Sequence, residues 1–73
     1  SRIFKRKTGE NYNEYLLKLR IERAKELLVT TNRSIIQISD ATGFGNSKYF
    51  SRIFKSMTGM TPVNYRMVYR ERG

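Results

Sequence analysis

An internal repeat constrains this chain more than any other feature. Residues 1–15 read SRIFKRKTGENYNEY and residues 51–65 read SRIFKSMTGMTPVNY, so eight of fifteen positions agree at an offset of 50. Unrelated segments would share roughly one. The chain therefore holds the end of one unit, a connector, and a fuller second unit whose SRIFK is preceded by residues 31–50. It opens on Ser1-Arg2-Ile3 rather than Met, as expected for a piece of a longer protein.

Composition narrows the chemistry. Lys and Arg number 15 against six Asp and Glu, giving a formal charge of +9, and His, Cys and Trp are absent. Without His or Cys, neither a zinc cluster nor a Cys/His or Ser/His/Asp triad can be assembled. At 73 residues, a domain buries only ~60% of its unfolded surface, so a substrate pocket would compete with the core for apolar side chains. An enzyme is not expected, and neither a cofactor nor a metal is called for. The excess of positive charge points to a polyanion, most simply nucleic acid. No apolar run approaches the ~20 residues of a membrane span and no secretory signal opens the chain, so no membrane partner is expected. Absence of Cys fits a reducing compartment.

Helix punctuation divides the chain. Gly9 and Gly59 each follow Thr at the end of an apolar-periodic segment, where a left-handed C-cap belongs. Three N-caps follow from short side chains with a partner downstream: Asn11 with Glu14, Ser34 with Gln37, and Thr61 ahead of Pro62. These signals predict helices over about 1–8, 12–29, 35–42, 47–57 and 62–71, with Thr30–Arg33 as a polar linker and no strand. The fold class is all-α. A remnant of one helix-turn-helix over residues 1–10 leads into a linker helix over 11–30. A second, homeodomain-like three-helix unit over 31–73 completes the chain.

Residues 47–57 have two faces. Phe50, Ile53, Phe54 and Met57 recur at i, i+3, i+4 and i+7, and Lys48, Ser51, Arg52 and Lys55 repeat that spacing on the other side. No acid lies between Asp40 and Glu71. A basic helix with an aromatic back suits a major groove ~12 Å wide, where Arg meets guanine O6 and N7 bidentately. Charged stripes also serve simply to solvate an outer face, but Ser1, Arg2 and Lys5 recreate Ser51, Arg52 and Lys55 in the first copy. Core packing needs the recurring Ile and Phe, not the Ser and Arg beside them. Upstream, residues 34–42 form a short helix with Ile35 and Ile38 inward. The Gly43–Asn46 connection then makes a helix-turn-helix. Phe44 is expected to plug the junction and Asn46 to cap the basic helix.

The connector carries two stripes, Tyr12/Leu16/Leu19 and Leu17/Ile21/Ala24/Leu28, as a helix packed on both units would. Its ~18 residues span about 27 Å, against ~34 Å between successive major-groove faces. Lys18, Arg20, Arg23 and Lys25 alternate with Glu22 and Glu26, which reads as a braced spacer.

SRIFKRKTG, EYLLKLRIERAKELL and SIIQISDATGFGNSKYFSRIFKSMTGMTPVNYR together resemble the DNA-binding domain of AraC/XylS-type bacterial transcription regulators. The resemblance covers nearly the whole chain. It implies two helix-turn-helix units joined by a long helix, with recognition helices in successive major grooves of promoter double-stranded DNA. It also implies a cytoplasmic bacterial setting and, in many such domains, contact with RNA polymerase. Carried over by position, base contacts fall to Ser1, Arg2, Ser47, Lys48, Ser51 and Arg52. Phosphate contacts fall to Lys5, Arg6, Asn46, Lys55 and Arg66. Tyr49 is assigned to packing at the helix edge, with its hydroxyl within reach of a phosphate. The sequence departs from the family pattern in lacking the supporting helices of the first unit, which removes partners of Ile3 and Phe4. Ser39 replaces a usual Ala and needs a hydrogen-bond partner; Thr42 replaces a usual aliphatic and weakens the second core.

Two other readings compete with sequence-specific duplex binding. One is a protein-interaction module contacting RNA polymerase. The other is charge-driven binding to any nucleic acid or anionic surface, against which stand the missing GxxG clamp and the intramolecular partners of the apolar stripes.

Overall fold

The structure is a computed structural model that describes residues 12–72. Over those residues it is all-helical: α1 (Tyr12–Thr30), α2 (Ile35–Ala41), α3 (Ser47–Thr58) and α4 (Pro62–Arg72). The helix expected over 1–8, the Gly9 cap, the Asn11 cap, and Ser1, Arg2, Lys5 and Arg6 lie outside the described residues.

The ends of the elements follow local chemistry. At the end of α1, the hydroxyls of Thr30 and Thr31 donate back to Glu26 O (2.7 Å) and Leu27 O (2.6 Å), and Leu27 O also accepts the Thr31 N–H at 3.0 Å. The capping box at α2 is complete: Gln37 N–H donates to Ser34 Oγ at 3.1 Å and Ser34 N–H to Gln37 Oε1 at 3.0 Å. Asn46 Oδ1 accepts from Tyr49 N–H at 2.9 Å to open α3. Gly59, at φ 87°, closes it by donating to Lys55 O at 2.8 Å. Thr61 Oγ1 caps α4 through Asn64 N–H at 3.1 Å, with Pro62 buried behind it.

The core is the second stripe of α1 set against the inner faces of the other helices. Ile21, Ala24, Leu28, Ile38, Phe44, Phe50 and Phe54 are buried, with Leu17, Leu27, Ile35, Ile53 and Tyr65 packed around them. Phe44 does plug the helix-turn-helix junction. The first stripe behaves differently: Tyr12 and Leu19 stand exposed. Met57, expected on the apolar stripe of α3, is also mostly outside, at 41% exposure. It falls in the last turn of α3, where it borders an open cleft with Leu17 and Ile53.

Two polar substitutions in the core have opposite outcomes. Thr42 is buried, but its hydroxyl donates to Ile38 O at 2.7 Å. The cost expected of it is confined to lost apolar contact. Ser39 is 1% exposed and its Oγ has no partner. An unmet buried hydroxyl costs about 1–3 kcal/mol, and Ala is the better helix former. Ser39→Ala is therefore expected to raise stability by about 1 kcal/mol. Thermal unfolding would register a rise in Tm of about 4–8 °C for a domain of this size; an unchanged or lower Tm would mean the hydroxyl is satisfied.

Candidate nucleic-acid interface

The back of α3 fixes what its front can present. Phe50 and Phe54 are completely buried, and they belong to a continuous row of rings. Phe44 meets Phe50 at 5.1 Å, Phe50 meets Phe54 at 5.7 Å, Phe54 meets Tyr65 at 5.4 Å, and Tyr65 meets Tyr69 at 4.4 Å. These are the tilted and edge-on geometries that ring quadrupoles favour. With that seat filled, Lys48, Arg52 and Lys55 are turned to solvent, and Ser47 and Ser51 are half-buried beside them. Among the described residues, no carboxylate pairs with Lys48, Arg52 or Lys55. Asn46, Lys48, Tyr49 and Arg52 line one open surface depression at the amino end of α3. The same end carries the unpaired N–H groups of the helix start, a setting that favours anions.

Other assigned residues divide. The carbonyl oxygen of the Asn46 side chain is committed to the cap, leaving its amide nitrogen as the group able to meet a phosphate. Tyr49 sets its ring edge-on to Phe44 at 5.8 Å, in keeping with a packing role at the helix edge.

Arg66, assigned to phosphate from the sequence, is placed away from that set. Its Nε donates to Leu28 O at 2.9 Å, and its Nη2 donates to Thr31 O at 3.1 Å and Arg33 O at 2.7 Å. The last carbonyls of any α-helix lack internal partners, and α1 has no basic residue in its final turn. From α4, Arg66 supplies a donor to Leu28 O in the last turn of α1 and two more to the loop that follows. Burial, then the charge of Arg70, lowers its pKa below the ordinary guanidinium value, although it stays charged at neutral pH. Beside it Arg70 donates to Asn32 Oδ1, so α4 holds the α1–α2 loop at two points.

The sequence reading also missed Arg20. Assigned to a braced spacer, it lies half-buried against the helix-turn-helix turn. A Cβ built on Gly43 would sit 3.2 Å from Arg20 Nε and 3.3 Å from Cζ. Gly43 adopts φ 90°, a conformation that disfavours side chains independently.

A short supporting helix with Ile38 in the core, a turn with two left-handed glycines and a projecting basic helix define a DNA-binding domain of the helix-turn-helix class. The family profile of a helix-turn-helix domain matches residues 1–67. The chain is 40% identical over 67 residues to an uncharacterized transcriptional regulatory protein, YesN, of Bacillus subtilis (strain 168), covering 89% of this chain and 18% of that protein. It is 42% identical over 65 residues to the transcriptional activator RhaR of Mannheimia succiniciproducens, covering 89% and 24%. Among solved structures, the DNA-binding domain of AdpA, a global transcriptional factor in complex with a target DNA, superposes with a TM-score of 0.87 at 30% identity, covering 97% of this chain and 64% of that one. The C-terminal domain of the response regulator YesN from Fusobacterium nucleatum gives 0.81 at 39% identity, covering 90% and 64%. The chain belongs to the AraC-type helix-turn-helix family of transcription regulators. It spans about a fifth to a quarter of the length of the full-length relatives named here.

The Arg66 clamp is testable apart from DNA. Losing three charge-assisted bonds, one to the end of α1 and two to the loop after it, should make Arg66→Ala cost about 2–4 kcal/mol in denaturant unfolding. Arg66→Lys should recover less than half, because a point ammonium cannot span three carbonyls. A phosphate role would instead show as a shallower salt dependence of DNA binding with stability intact.

Proposed function

We propose that this chain is the DNA-reading domain of a transcription regulator, with α3 in a major groove and Lys48 and Arg52 turned to base edges. The observation that carries the reading is the row of unpaired Lys48, Arg52 and Lys55 opposite a fully buried Phe50 and Phe54. Rotating α3 to hide the cations would expose both rings, at about 1.5–3 kcal/mol each, so the basic face is locked outward. Arg52, at the centre of the helix, is the residue suited to a bidentate grip on guanine. Ser47 and Ser51 flank it with hydroxyls that both donate and accept. Lys48 reads beside them. Lys55 and the Asn46 amide, at the two ends, are assigned to phosphates.

The repeat extends the proposal to Ser1 and Arg2 as the base-facing pair of a first reader, with Lys5 and Arg6 toward its phosphates. Two readers joined by α1 would then address successive major grooves. AdpA, similar over 97% of this chain, is solved on its target DNA, which supports duplex DNA as the ligand here.

Titration of cognate and scrambled duplexes across a salt series tests this directly. Arg52→Ala is expected to cost about 1–3 kcal/mol and to relax preference at one base position. Lys55→Ala should weaken all duplexes alike and lower the salt slope by about one. Equal losses from both substitutions on every duplex would remove base reading from Arg52.

A further inference from the structure

We propose that Arg20, on the linker helix, is a ligand for the DNA backbone, holding a phosphate between the two reading helices. The proposal rests on the duplex-binding reading above and adds a contact that the sequence reading does not assign. Its starting point is an imbalance. Among the described residues three arginines are half-buried, Arg66, Arg70 and Arg20, and Arg70 donates to Asn32 Oδ1. Arg66 satisfies its donors on three carbonyls. Arg20 has no hydrogen bond and no ion pair among the described residues. A guanidinium drawn partly out of water gains from an acceptor, and no described residue takes any of its five N–H donors.

Its placement indicates where the acceptor comes from. Gly43, lacking a Cβ, lets the planar end of Arg20 lie against the turn at 3.2–3.5 Å from where that atom would be. This turn leads straight to Asn46 and the amino end of α3. Phe44, next in the chain, touches Tyr49, which lines the depression with Lys48 and Arg52. Arg20 therefore lies against the turn that leads into the reading helix. It is also the ninth of nineteen residues in α1. A helix of that length spans about 28 Å, a little less than the ~34 Å between successive major grooves. Its midpoint would then lie over the strands between those grooves. Arg suits the position better than Lys, because its flat, weakly hydrated head can rest on a peptide and still donate in its own plane.

The test uses the full chain on a duplex, with wild type, Arg20→Ala, Arg20→Lys and Arg52→Ala titrated from 50 to 200 mM salt and each protein melted alone. Loss of one phosphate contact lowers the salt slope by about 0.9. Wild-type affinity should then fall about 3.5-fold more than that of Arg20→Ala over this range, base preference should stay unchanged, and Arg20→Lys should regain most of the slope. A wild-type slope in Arg20→Ala, whatever its Tm, would assign Arg20 to packing and overturn the proposal. So would a change of base preference like that of Arg52→Ala. Should Arg20→Ala melt below the titration temperature, Arg20→Gln keeps a planar end for Gly43 and carries the same comparison. Failure of the wild type to bind any duplex would remove the underlying reading. Loss of base discrimination in Arg52→Ala, with a normal slope in Arg20→Ala, would remove only this contact.

Discussion

The seating of Phe50 and Phe54 is the interaction on which the rest depends. A twelve-residue helix such as α3 is marginal alone in water, because nucleation is costly and few bonds follow it. Its sequence adds a cluster of like charges that repel one another. What holds it is burial of two rings against Ile38, Leu28 and Tyr65, continued by Phe44 at one end and Tyr69 at the other. Each ring contributes about 1.5–3 kcal/mol, more than the few tenths at stake in any exposed charge pair. The apolar side thus sets the azimuth of the helix, and the basic side follows from it. The amino end is oriented by a cap and the carboxyl end by a left-handed glycine, so no degree of freedom is left by which the cations could turn inward.

Arginine serves opposite ends in this fold. On α3, Arg52 is left without an internal partner, which a ligand-binding cation requires. On α4, Arg66 is spent on three carbonyls 33 to 38 residues away in sequence. That spending has a purpose in the geometry. The last turn of α1 holds no cation, and its Leu28 carbonyl is met from α4. A guanidinium on α4 both closes that helix and fixes the angle between α1 and α4. The aromatic row runs on from α3 into the same helix through Tyr65 and Tyr69. The recognition helix and the linker helix are thereby referred to one common frame.

Much of this was legible in the residues. The caps at Ser34, Asn46, Gly59 and Thr61 depend on neighbours three or four positions away, and local signals of that range can be read from a string of letters. The apolar stripes of α1 and α3 were legible for the same reason, since 3.6-residue periodicity is local. Met57 was misplaced because periodicity says which face a residue occupies but not whether a neighbouring helix reaches that far along. Arg66 and Arg20 were misread on a different ground. A basic residue looks alike in sequence whether it meets a phosphate, a carbonyl or a glycine. Only the crossing of α4 over the end of α1, and of α1 over the turn, separates those fates. The one available signal was negative: α1 lacks a basic residue in its last turn, so its carbonyls had to be met from elsewhere.

The linker helix also has less freedom than a spacer would need. Ala24 and Leu28 are fully buried and Ile21 nearly so, and small-to-large changes at such positions are resisted by close packing. Ala24 is completely buried, so sliding α1 by a residue would drive a larger side chain into its place. A slip of one residue would also turn the helix by about 100° and carry Arg20 away from Gly43. The faces bearing Tyr12 and Leu19 are therefore held at a fixed rotation relative to α3. On the proposal that α1 joins two readers, the phase between them is set by the packing of Ala24 and Leu28 and by the Arg66 clamp. Stability of the second unit and spacing of the two readers are, on that geometry, the same physical property.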